Sequence, residues 1–145
     1  TEASVTNTAT VSGTGITPVT AAETVNAEAA PNLAITKSVS PVPVTENGTL
    51  TYTFRIQNYG SVAATNTTGV VITDTFAPVL NNLTAALNGT AWTATTDYTY
   101  NEATGTFSST AGAITVPAAT YTQDSTTGAW VVTPGESTLV ITGTV

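Results

Sequence analysis

The sequence predicts an all-β protein, a β-sandwich preceded by a two-stranded arm. Threonine makes up about a quarter of the chain, and a β-branched polar side chain suits the wet face of a strand. Apolar and polar residues alternate at period two through most of the length. Gly, Pro and Asn-Gly signals recur between these runs, as they do between the short strands of a sandwich. No stretch reads convincingly as helix; the alanine-rich run 21–30 is the lesser alternative.

The arm comes first. Residues 4–12 and 19–27 read as strands around the breaker run Gly13-Thr14-Gly15, with Val5, Asn7, Ala9 and Val11 on one face. From Asn32 a domain begins, in which Leu33, Ile35, Lys37 and Val39 point together before the stop at Pro41-Val42-Pro43. Leu50, Tyr52, Phe54 and Ile56 form the next inward set, with Thr51, Thr53, Arg55 and Gln57 outward. Val70, Ile72, Asp74 and Phe76 follow. Asn88-Gly89 predicts a hairpin between residues 83–87 and 91–93. Shorter strands are expected at 98–100, 105–108, 113–116 and 129–133, and Pro134-Gly135 turns the chain into a last strand at 137–145.

Composition narrows the function. Nine acidic residues against two basic ones give a net charge of −7, which disfavours nucleic acid or an anionic membrane as partner. Charged residues are only 8% of the chain, far below the usual quarter. Leu, Ile, Val and Phe make up about a fifth, a thin core of the kind helped by oligomerisation or a covalent staple. With no cysteine that staple is not a disulfide. With no methionine in the chain, a processed or engineered start is expected. No apolar run is long enough to span a membrane. This profile fits a secreted surface protein better than a cytosolic enzyme.

An ordered series of motifs carries a resemblance. The runs Asn32–Pro41 (NLAITKSVSP), Gly48–Phe54 (GTLTYTF), Asn58-Tyr59-Gly60 and Val71–Phe76 (VITDTF) resemble the "domain of unknown function 11" repeats, immunoglobulin-like modules of bacterial and archaeal surface proteins. Thr6–Gly13 (TNTATVSG) looks like the segment that closes such a repeat, here placed before the domain. The resemblance implies residues 1–30 as a donor hairpin arm and residues 31–145 as an incomplete immunoglobulin-like β-sandwich. It implies surface structure and no activity.

The sandwich can be closed by its own arm or by a neighbour's. The link from Glu28 to Asn32 reaches only about 13–18 Å when extended, less than the roughly 20 Å of a six-residue strand. A neighbour is therefore expected to receive the arm, with Val5, Ala9 and Val11 as anchors in a β-strand addition. Such a head-to-tail contact propagates into a filament unless a rotation closes it into a ring.

Lys37, the only lysine, Asp74 and Asn7 all fall on inward faces by alternation. A lysine on the first strand, an asparagine on the closing strand and an acid between them resemble the isopeptide triad of Gram-positive pilins and collagen adhesins. The resemblance implies that Lys37 attacks the Asn7 side chain, promoted by a protonated Asp74, in a single self-modification. The same residues also fit simpler roles: an inward lysine guarding an edge strand, a buried Lys37–Asp74 ion pair that does not react, or an asparagine satisfying backbone groups.

Other signals are weak. The Asn-x-Thr triplets at Asn47, Asn66, Asn82 and Asn88 are expected by chance in so Asn- and Thr-rich a chain. Trp92, Trp130, Tyr98, Tyr100 and Tyr121 are expected to pack in the core rather than line a carbohydrate platform. With neither histidine nor cysteine and with scattered carboxylates, no metal, cofactor or turnover chemistry is expected, and no small-molecule ligand. The expectation is a structural subunit of an extracellular bacterial filament, partnered by copies of itself. The alternative is an inert spacer or adhesive stalk module of a multi-domain cell-surface protein.

Overall fold

The computed structural model describes residues 4–26 and 29–145, with side chains from residue 6 to 24 and from 29 onward. It divides into two units, Thr1–Ala30 and Pro31–Val145. The first is a hairpin of β1 (Ser4–Gly13) and β2 (Ile16–Asn26). Gly15 adopts φ 76° at the turn, a conformation that suits glycine because it lacks a Cβ. The antiparallel register sets Asn7 opposite Glu23, Ala9 opposite Ala21 and Val11 opposite Val19. Directly opposed residues share a face, so one face of the hairpin is apolar except for Asn7 and Glu23. The other carries threonines, with Thr6 and Thr24 hydroxyls 2.9 Å apart.

The second unit is built on ten strands. Six come first: β3 (Leu33–Ser40), β4 (Thr49–Asn58), β5 (Thr73–Thr75), β6 (Asn81–Leu87), β7 (Thr90–Ala91) and β8 (Tyr98–Asn101). Then come β9 (Thr106–Ser109), β10 (Thr120–Gln123), β11 (Trp130–Thr133) and β12 (Gly135–Thr144). A five-stranded sheet runs β3-β4-β12-β6-β7, a three-stranded sheet runs β5-β9-β8, and β10 pairs with β11 alone. Phe54, Ile56, Leu139 and Ile141 of the larger sheet meet Phe107 and Tyr98 of the smaller in one core. This all-β arrangement is compatible with a sandwich. Phe76 sits between them, its ring 4.7 Å from Tyr52 and 6.4 Å from Phe107. No helix among the described residues is long and apolar enough to cross a membrane.

The Asn88-Gly89 hairpin forms with both residues at positive φ, 50° and 81°, the geometry a two-residue hairpin turn favours. Several expectations need correction. Residues 113–116 form no strand; only an isolated bridge joins Val116 to Ala64. The region 70–76 is strand only over Thr73–Thr75. β10 was not anticipated, and β2 begins three residues early, running through Pro18. Trp92, Tyr98 and Tyr100 join the core, but Trp130 and Tyr121 do not. They lie on the β10–β11 hairpin, Trp130 being 66% exposed, and that hairpin pairs with no third strand among the described residues.

At the start of β3 the buried Asn58 ties four segments together. Its Oδ1 accepts hydrogen bonds from the Asn32 and Gly60 amides, each at 2.9 Å. Its Nδ2 donates to the carbonyls of Val62 at 2.8 Å and Pro117 at 2.9 Å. All four hydrogen-bonding positions of the side chain are thus used.

Candidate functional site

β3 pairs with β4 along its whole length, with Leu33 opposite Asn58, Ile35 opposite Ile56, Lys37 opposite Phe54 and Val39 opposite Tyr52. The four β4 residues are buried. Their β3 partners share the same inward face by register, yet Leu33, Ile35 and Val39 are 38%, 53% and 39% exposed. The inward face of β3 is therefore uncovered. β3 has no strand partner on its outer edge among the described residues, and β5 pairs only with β9. Val70, Val71 and Ile72, which lead into β5, face Leu33, Ile35 and Ile56 across an apolar groove of about 160 Å³.

Lys37 rises from this uncovered face. Its Nζ hydrogen-bonds to Oδ2 of Asp74 on β5, and Asp74 Oδ1 accepts from the Thr75 amide at 2.9 Å. The ammonium lies 4.8 Å from the ring centre of Tyr52, 5.3 Å from Phe76 and 5.5 Å from Phe54. Three aromatic faces and one carboxylate hold it in place, by cation–π attraction and ion pairing. The expected pairing of Lys37 with Asp74 is present, but the expected burial is not: the side chains are 40% and 18% exposed. The opening is the uncovered side of β3.

The only other basic side chain, Arg55, points outward and pairs with Glu136 at 2.6 Å. Its hydrogen bond holds the Glu136 carboxyl below the ordinary carboxylate range, and the carboxylate in turn raises Arg55. Lys37 is thus the one cation on the inward side. Asn7, Ala9 and Val11 lie on the apolar face of the arm hairpin and are exposed; the side chain of Val5 lies outside the described residues. The structure brings Lys37 and Asp74 together and places Asn7 on the separate arm unit.

Two features escaped the sequence reading. Glu23 stands opposite Asn7, a pairing legible only once the hairpin register is known. The strand that carries Trp130 is read from the sequence, but its partner β10, which carries Tyr121, is not, because its alternation is too short. Compared with protein-family models, curated proteins and solved structures, the chain matches none.

Proposed function

We propose that this chain is a structural subunit of an extracellular bacterial filament. The fold is read as an immunoglobulin-like sandwich, and the arm of one copy fills the groove over β3 of the next. The observation that carries this reading is the mismatch across one strand pair. β4 is buried along its inward face while β3, directly beside it, is not. A strand laid there covers Leu33, Ile35 and Val39, and each such side chain contributes up to about 1.5–3 kcal/mol when fully buried. It also removes an unpaired edge that would otherwise recruit unrelated strands. The arm offers a matching face in Ala9, Val11, Val19 and Ala21. A head-to-tail contact of this kind yields a filament wherever the rotation between copies does not close a ring.

The same contact supports a covalent lock. With the arm seated, water leaves Lys37, which favours the neutral amine once its proton passes to a carboxylate. The amine nitrogen then attacks Cγ of Asn7. As the C–N bond to the amide nitrogen breaks, that nitrogen takes the proton held by the carboxyl, the attacking nitrogen gives up its second proton to the same carboxylate, and ammonia departs. Asp74, already bonded to Lys37, carries both protons. The reaction is a single-event crosslink and not turnover.

Boiled denaturing electrophoresis of the native material, with intact mass on each band, tests both parts. A ladder of multimers lacking one ammonia per junction is the expected result, and removal of residues 1–30 should abolish it. One band at the unmodified monomer mass would sink the crosslink, and strand donation would then be judged by imaging undenatured material. Folded wild-type monomers under all conditions would overturn assembly. The second reading, an adhesive stalk module, draws on the exposed Trp130–Tyr121 hairpin and expects such a monomer.

A further inference from the structure

Resting on the strand-donation reading, we infer that Glu23 sets the register of the inserted arm by pairing with Lys37 of the receiving copy, with β2 running parallel to the receiver's β3. The arm's apolar face is interrupted by two polar side chains, Asn7 and Glu23, directly opposite each other in the hairpin. The uncovered face of β3 is interrupted by one, Lys37, with Asp74 beside it. Along the chain, β2 presents Val19, Ala21 and then Glu23; β3 presents Leu33, Ile35 and then Lys37. Laid parallel, apolar meets apolar at two positions and carboxylate meets ammonium at the third. Asn7 then falls beside the same lysine, because it is Glu23's cross-strand partner.

Other placements fare worse. A shift by two residues sets Glu23 against Ile35 or Val39 and buries an unpaired charge, which is strongly disfavoured. A shift by one turns the threonine face inward. The antiparallel placement that keeps Glu23 on Lys37 carries Val19 past the end of β3 at Ser40.

The parallel register also explains why the partner must be a second copy. It leaves the end of β2 level with the end of β3. To donate to itself, the chain would have to return along about 23 Å of strand and step about 5 Å sideways to the open edge. The seven Cα–Cα steps from Asn26 to Leu33 reach about 23–25 Å only when fully extended, which leaves none to turn the chain.

The test is charge reversal in the full-length chain: Glu23→Lys, Lys37→Glu and the double variant, compared with wild type. Sedimentation reads assembly, and circular dichroism monitors the fold. Each single variant should raise the concentration needed for assembly by roughly tenfold or more, since each leaves like charges facing in a covered site. The double variant, which cannot form the lysine–asparagine bond, should recover non-covalent assembly. If wild type assembles and Glu23→Lys assembles equally well, the pairing is overturned and strand donation stands. If the single variants fail and the double variant does not recover, the pairing is likewise overturned. A wild-type chain that remains monomeric overturns both.

Discussion

Replacing Asn58 by alanine should unfold the second unit at a markedly lower temperature, and the size of the effect follows from its bonds. The side chain is fully buried and makes four hydrogen bonds, two accepted from Asn32 and Gly60 and two donated to Val62 and Pro117. At about 1 kcal/mol net for each bond the loss is about 4 kcal/mol. Water entering the vacated space would reduce it toward about 2 kcal/mol. Unfolding residues 31–145 carries about 0.24 kcal/mol/K of entropy at the usual value per residue, so the melting point should fall by about 8–17 °C.

Differential scanning calorimetry of the full chain, in parallel with wild type, measures this. A drop below about 4 °C would refute the view that this side chain ties the start of β3 to the loops around it. Asn58→Asp supplies a second arm. It keeps the two accepted bonds but turns an oxygen toward the two carbonyls, so burial and repulsion raise its folded pKa above the unfolded value. The variant should therefore regain stability as pH falls below the ordinary carboxylate range and lose it as pH rises through the raised pKa.

Ile35→Asp should abolish assembly while costing the monomer only about 0.7–1.5 kcal/mol, half of a full apolar burial, because the site is half-exposed before the arm arrives; sedimentation and denaturant melts together check this. Gly135→Ala should destabilise by about 1–3 kcal/mol or more, since a Cβ there would lie 2.0 Å from the Pro117 carbonyl oxygen; denaturant unfolding would expose an error if the loss were negligible. In the β10–β11 turn, hydrogen bonds from the Thr127 and Thr126 amides hold the Asp124 carboxyl below its ordinary value. The turn's extra stability is thus present above the unfolded pKa and lost as pH falls through the lowered one. Amide exchange at Thr126 and Thr127 should speed up, relative to a turn lacking such bonds, only in acid, and Asp124→Asn should remove that pH dependence.

Alternation alone placed Leu33, Ile35, Lys37 and Val39 on one side of a strand and Asp74 on an inward face, and Asn88-Gly89 announced its hairpin. These are local properties: a strand shows successive side chains to opposite faces whatever surrounds it. The pairing of Lys37 with Asp74 could be anticipated for the same reason, since each was an isolated charge on an apolar face. Coverage is different in kind. Whether an inward face meets a second layer depends on strands far away in sequence, so only the tertiary structure decided that β3 lies open beside a buried β4. The four bonds of Asn58 draw on residues from Asn32 to Pro117, and Trp130 lies exposed on a hairpin that pairs with no third strand among the described residues. The facing of Glu23 and Asn7 depends on a register set by the turn between β1 and β2. A carboxylate two residues away would have shared the same face and missed its partner.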